Sequence, residues 1–289
     1  MDGSPRRRWL HVLWAYVLLP HAVPILVVMG ATASLAMIAA QGSPGTGAFA
    51  RLLGAMLGGQ VAIGAVNELA DSELDRRAKP HKPIPAGLVS KRGARLMAII
   101  GAAGMLALST TFGARSLLLC VLGTSLGIAY SLWFKRTVWS WLPYALALPL
   151  LPIWVWSALA TVDGRLWMVY PVGLPAVLAV QLAQSLPDVE GDRRTGVRTL
   201  AVALGEVRAR RLCWGGLVVA AALAAGFAPA MTPEPAWVWA AAACACALIA
   251  LNALAWLHDA RRGVMTCFPC VATGVAVLGI GWAVAIAGG

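Results

Sequence analysis

The sequence predicts an all-α integral membrane protein with nine transmembrane helices, and three observations carry that prediction. Hydrophobic residues make up 60% of the 289 and charged residues only 12%, about half the charged share of an ordinary soluble domain. A soluble chain so poor in charge could not cover its own apolar surface, whereas lipid solvates apolar side chains directly. Nine long, nearly charge-free runs then follow one another along the chain. Finally, the basic residues fall almost entirely between alternate runs, as they do when one side of a membrane is cytoplasmic.

The runs cover residues 17–40, 52–69, 96–112, 116–134, 141–160, 167–186, 212–228, 236–257 and 264–287. About 20 residues in a helix cross a hydrocarbon core of about 30 Å, so each run is read as one span. Helix is the expected form because backbone polar groups inside lipid must be satisfied within their own segment. Arg6, Arg7 and Arg8 precede the first run as the basic stretch of a signal peptide would. That run is too long for a signal core and eight more follow it, so it is read as a retained first span. The whole of 1–289 is expected to form a single polytopic membrane domain.

Net charge is +11, which in a soluble protein would suggest nucleic acid. Here topology accounts for it. With the N-terminus cytoplasmic, 20 of the 23 Lys and Arg residues lie on the cytoplasmic side, and only Arg51, Arg115 and Arg165 lie outside. A different number of spans would scramble this alternation. The C-terminus is then extracytoplasmic. The high Ala, Arg and Trp content suits a GC-rich bacterial genome and hence a bacterial plasma membrane. No nucleic-acid partner is expected. Anionic lipid head groups are the partners that the basic loops suit.

Ten of the twelve carboxylates also fall on the cytoplasmic side, and eight of them gather in two places, near 67–95 and 184–211. The first place holds Asn67, Glu68, Asp71, Glu73 and Asp75 at the end of span two; the second holds Asp188, Glu190, Asp192 and Glu206 after span six. Asn67, Asp71 and Asp75 recur every fourth residue, as do Asp188 and Asp192, so each set lines one face of a continuing helix. Stacked carboxylates repel one another near a membrane unless a cation sits between them. Hard oxygen ligands beside Arg and Lys suit Mg2+ shared with a phosphate-bearing substrate, because Mg2+ takes one or two carboxylates plus substrate phosphates. A single D-x-x-x-D at a helix end is more simply a polar loop. Two copies on one side of the membrane, each trailed by basic residues, favour a pair of clusters that clamp a diphosphate.

These residues resemble the motifs of the UbiA superfamily of intramembrane prenyltransferases. Asn67, Asp71 and Asp75 are similar to its N-x-x-x-D-x-x-x-D signature. Asp188-Val189-Glu190-Gly191-Asp192, continued to Thr199-Leu200-Ala201, looks like its second aspartate motif with the following Gly-x-x-Thr-Leu-Ala segment. Lys82-Pro83-Ile84-Pro85-Ala86-Gly87 resembles the family's Arg-Pro-x-x-x-Gly loop, and Tyr130 followed by Lys135 and Arg136 resembles its tyrosine–lysine motif. The resemblance covers residues 10 to 287, with the four motifs in the family's order.

The resemblance implies nine helices around a central cavity and a Mg2+-dependent transfer of an isoprenoid group from a prenyl diphosphate to an aromatic or other lipophilic acceptor. It implies two Mg2+ ions held through Asn67, Asp71, Asp75, Asp188 and Asp192. Lys82, Lys135, Arg136 and Arg198 would neutralise the departing diphosphate. Tyr130 and Gln184 join the expected substrate-binding set. Four departures fall near the substrate region. Lys82 stands where Arg is usual, Tyr130 and Lys135 are five apart where four is common, Gln184 stands where many members have Asn, and Pro187 replaces a frequent Arg. They keep open a terpene cyclase of the same family, in which the substrate's own double bonds capture the cation. A transporter with the aspartates as an ion path is a third reading, but its carboxylates belong at mid-membrane and these gather at one face.

Other residues are given structural roles. Trp133, Trp139, Trp141, Trp154, Trp156 and Trp167 lie near span ends, where an interfacial belt or packing is the default. His11, His21 and His258 are read as interfacial, and His81 is singled out only for its place beside Lys82. The six cysteines, including the Cys267 and Cys270 pair, are read as small apolar residues of the membrane core.

Overall fold

The structure is a computed structural model that describes residues 12–288 apart from 13, 18, 21 and 233. Arg6, Arg7, Arg8, His11 and His21 lie outside the described residues. All regular structure among the described residues is helical. The helices are α1 (Ala22–Ala39), α2 (Thr46–Ala78), α3 (Lys91–Ser109), α4 (Ala114–Ala129), α5 (Leu142–Leu159) and α6 (Val169–Ser185). They continue with α7 (Val189–Thr195), α8 (Leu200–Leu204), α9 (Glu206–Met231), α10 (Ala236–His258) and α11 (Ala260–Gly288). Eight stretches among the described residues are long and apolar enough to cross a membrane, and a shorter apolar helix covers Pro24–Ala39. That shorter helix falls on the first expected span, and the eight fall on the other eight.

Several helices extend beyond their apolar runs, and two of them carry the acid motifs. α2 starts six residues before the second run and ends at Ala78, so the first acid motif belongs to its last turns. Hydropathy marks where a helix can leave lipid, whereas helix propensity, strong here for Glu, Leu and Arg, decides where it unwinds. The sixth span begins in a 3-10 turn over Gly164–Met168, and its backbone continues past Ser185 through a second one, Leu186–Asp188, into α7.

The chain forms two compact units. The first comprises Met1–Leu132 with Trp154–Ala160, and the second Trp133–Ile153 with Thr161–Gly289. Within the first, α2 packs along α3, with α1 and α4 against α2 as well. Small residues permit this. A Cβ added to Gly58 would lie 2.6 Å from the Gly101 carbonyl oxygen, and one added to Gly101 would lie 2.7 Å from the Gly58 oxygen. Helices in lipid gain little from hydrophobic exclusion and associate instead through such close backbone approach. α3 also carries Leu96, Ile99 and Ile100, all exposed, as suits contact with lipid chains.

In the second unit α9 packs against α6 and α10, and α10 packs along α11. Three of these helices meet at Asn252, which is fully buried. Its Oδ1 accepts from Trp214 Nε1 at 2.9 Å, and its Nδ2 donates to the Gly263 carbonyl and to Thr266 Oγ1, both at 3.0 Å. Replacing Asn252 with Leu strands a buried indole N–H and a carbonyl, which costs about 1–3 kcal/mol for each unsatisfied group. The Asn252→Leu protein is expected to unfold at a lower temperature in detergent, whereas Asn252→Gln should recover part of the loss. Close by, the Arg210 guanidinium lies 4.2 Å from the Trp256 ring centroid and 5.4 Å from that of Trp214.

The tryptophans divide. Trp133, Trp139 and Trp167 are exposed, whereas Trp154 and Trp156 are buried and serve packing. Cys120, Cys213 and Cys267 are buried as expected of small apolar residues, Cys270 is half-buried, and Cys244 and Cys246 are exposed on α10.

Candidate functional site

The last turns of α2 bury charge. Glu68, Asp71, Ser72 and Asp75 are 2%, 8%, 3% and 7% exposed, a repeat of three, four and seven that marks the inward face of a helix. Carboxylates are among the side chains least often buried, and unpaired ones are costly there. Lys82 supplies a counter-charge. Its Nζ donates to Glu68 Oε1 at 2.6 Å and to Asp75 Oδ2 at 2.7 Å. Burial lowers the Lys82 pKa, but the hydrogen bonds to Asp75 and Glu68 outweigh it and leave the group above the ordinary lysine value. Lys82 therefore keeps its proton across the neutral and mildly alkaline range. Outside this face, Lys91 pairs with the exposed Glu73, which also lies 3.9 Å from Arg76.

The chain reaches Lys82 through a compact series of turns. The Lys82 N–H donates to the Lys79 carbonyl, the Ala86 N–H to the Lys82 carbonyl, and the Leu88 and Val89 N–H groups to the Pro83 carbonyl. Gly87 turns back with φ 72°, a left-handed conformation that a side chain would strain. Two apolar residues pin the turns. Ile84 and Val89 are buried with Ala15, Leu19 and Ala94, flanked by Tyr16, Leu69 and Met97. Ser90 then caps α3 by accepting from the Gly93 N–H at 2.9 Å. The Lys-Pro-Ile-Pro-Ala-Gly segment thus folds against α2, where its one cation meets the carboxylates.

The second acid motif is built differently. Asp188 ends a 3-10 turn and is exposed; Asp192, one turn into α7, is half-buried. α7 ends at Gly196 in the left-handed conformation, with the Val197 N–H donating to the Asp192 carbonyl at 3.0 Å. Thr199 caps α8, accepting from the Val202 N–H. Between these caps the Arg198 N–H donates to the Arg136 carbonyl at 3.3 Å, which ties the second motif's trailing segment to the chain after the fourth span.

Of the residues singled out by sequence, the structure brings Lys82 directly onto Asp75 and brings Arg136 to Arg198 through the backbone. Asn67, Asp71 and Asp75 recur along α2, with Asn67 half-buried. Tyr130 opens a π-helical turn over Tyr130–Phe134, and it and Lys135 are half-buried. Gln184 is exposed near the end of α6. Glu68 is the residue to which sequence reasoning gave no individual role. Its position one residue after Asn67 hid it, although a spacing of three to Asp71 and seven to Asp75 places it on their face.

Among the described residues no three His, Cys, Asp or Glu side chains converge as a ready-made metal cage. The chemistry of the donors nonetheless fits Mg2+, which prefers hard oxygen, needs few protein ligands and completes its shell with water and phosphate.

The chain is similar to known proteins in sequence and in fold. The chain is 31% identical over 149 residues to the digeranylgeranylglyceryl phosphate synthase of Korarchaeum cryptofilum, covering 51% of this chain and 53% of that protein. It is 30% identical over 176 residues to the glycinol 4-dimethylallyltransferase of Glycine max, covering 53% and 42%. The chain thus spans about half the length of these curated relatives. Among solved structures, the UbiA homolog from Archaeoglobus fulgidus bound to GPP and Mg2+ has the same fold, with a TM-score of 0.70, 19% identity, and 92% and 99% of the two chains covered. The structure of a digeranylgeranylglyceryl phosphate synthase matches at a TM-score of 0.78 with 15% identity over 95% of this chain and 99% of that one. With the family model matching residues 25–268, over apolar helices and both acid motifs, this integral membrane protein belongs to the UbiA prenyltransferase family.

Proposed function

We propose that the protein is a Mg2+-dependent membrane prenyltransferase that moves an isoprenoid group from a prenyl diphosphate to an aromatic or other lipophilic acceptor. The observation that carries this reading is the burial of Glu68, Asp71 and Asp75 at the end of a membrane-length helix, with Lys82 folded onto them. The prenyl-transferring relatives and the solved homologue with GPP and Mg2+ support it. Asn67, Asp71, Asp75, Asp188 and Asp192 would hold two Mg2+ ions, which would supply Lewis-acid neutralisation of the diphosphate. Lys82, Lys135, Arg136 and Arg198 take up the negative charge that collects on the diphosphate as the allylic C–O bond breaks. Tyr130 and Gln184 line the substrate. The apolar helices keep water from the allylic cation, so that the acceptor carbon bonds to it and then loses a proton. In this reading the N-terminus is cytoplasmic, the C-terminus extracytoplasmic and the membrane a bacterial plasma membrane.

The test uses purified protein in detergent with Mg2+ and geranyl, farnesyl or geranylgeranyl diphosphate, with and without a panel of aromatic and lipid acceptors. Pyrophosphate release and lipid products are followed together. Mg2+-dependent release that rises with an acceptor, and a prenylated product, are expected. Cyclic hydrocarbon formed without any acceptor would replace the transferase with a terpene cyclase. No turnover with any donor and acceptor would count against both.

A further inference from the structure

Asp75 Oδ2 has two claimants. It accepts a charge-assisted hydrogen bond from Lys82 Nζ at 2.7 Å, and it belongs to a carboxylate proposed above to hold Mg2+, a reading on which this inference rests. Mg2+ binds a carboxylate oxygen at about 2.1 Å, so the two cations on one oxygen would stand within about 5 Å and repel each other strongly. Glu68 differs. It lies 2.6 Å from the same ammonium and is the most deeply buried of the three carboxylates.

We propose that Lys82 is a displaceable competitor for the divalent cation. The cation takes Asp75 as the ammonium withdraws from Asp75 Oδ2, and Glu68 is the positioning residue that keeps the ammonium. The side chain is suited to the exchange. Lys82 is 18% exposed at its side chain, its main chain is fixed by turns pinned through Ile84 and Val89, and its four-carbon stem moves a point charge without moving the loop. An arginine fork would instead grip both carboxylates in a fixed geometry. The exchange lowers affinity for the cation alone, because each cation must first dislodge an ammonium from a buried partner. A diphosphate reverses that penalty, since it attracts both the divalent cation and the released ammonium. Cation and diphosphate then each tighten the binding of the other, by equal factors. The site is thereby loaded with the two together.

Mn2+ serves as the probe, because its aqueous electron paramagnetic resonance signal reports the free ion directly. Binding is measured on the full-length protein in detergent for wild type, Lys82→Met and Lys82→Arg, with Asp71→Ala as the control, with and without inorganic pyrophosphate. Lys82→Met is expected to bind Mn2+ alone about tenfold more tightly than wild type, and Lys82→Arg more weakly. The gain from pyrophosphate should shrink in Lys82→Met. In wild type, acylation of the Lys82 amine by an amine-reactive reagent, read by mass spectrometry, should quicken when Mn2+ binds, because the ammonium has left Asp75 Oδ2. It supplies the test by itself if Lys82→Met does not fold. Equal or weaker Mn2+ binding by a folded Lys82→Met, or acylation of Lys82 that Mn2+ leaves unchanged or slows in wild type, overturns the competition and leaves the magnesium reading in place. No Mn2+ binding by any protein, with or without pyrophosphate, overturns both.

Discussion

Asp71→Asn is expected to abolish prenyl transfer. The substitution keeps the side chain's shape and removes one of the three carboxylates buried along α2. Activity should fall by about two to four orders of magnitude, because metal stabilisation of a leaving phosphate is worth several kcal/mol and each tenfold in rate is about 1.4 kcal/mol. Asp75→Asn should lose activity to a similar degree, and because it also breaks the 2.7 Å ion pair with Lys82, its thermal midpoint should fall. Retention of more than about a tenth of wild-type activity by Asp71→Asn would remove this carboxylate from the proposed machinery.

The legible and the illegible parts of this site divide along a physical line. Spans, and the fourfold spacing of Asn67, Asp71 and Asp75, depend on local periodicity, which a sequence displays directly. The start of α4 was similarly open to reading, since Gly113 with φ 88° separates it from the 3-10 turn before it. The pairing of Lys82 with Glu68 lies fourteen residues apart along the chain. It requires the path of every turn from Lys79 to Val89, and those turns depend on Ile84 and Val89 finding an apolar cluster that includes Ala15 and Leu19. Burial that arises from tertiary contact has no periodic signature of its own. The same holds for Asn252, whose partners sit on two other helices, and for Trp154 and Trp156, which lie near an expected span end yet are buried.

Gly101→Leu is expected to destabilise the fold strongly. At Gly101 a Cβ would meet the Gly58 carbonyl oxygen at 2.7 Å, and the next nearest atom, the Ala62 nitrogen, at 3.1 Å. Both are backbone atoms of α2, so no side chain can turn aside to make room. Overpacking of a filled site costs about 1–3 kcal/mol, and a clash with a helix backbone belongs at or above the top of that range. Gly104 lies one turn further along α3 and lines an apolar groove of about 570 Å³ between α2 and α3. A Cβ there meets nothing within 4 Å. Gly104→Leu should therefore leave the thermal midpoint in detergent unchanged or slightly raised, while Gly101→Leu yields little folded protein and Gly101→Ala an intermediate loss. The effect should reach the site as well, because α2 carries both Gly58 and the carboxylates, four turns apart on one continuous helix. A helix pushed away from α3 carries Glu68 and Asp75 away from the turns that present Lys82, since those turns lead directly into α3 at Ser90. Equal stability of Gly101→Leu and Gly104→Leu would mean that contact of α2 with α3 at Gly58 does not hold the first unit together.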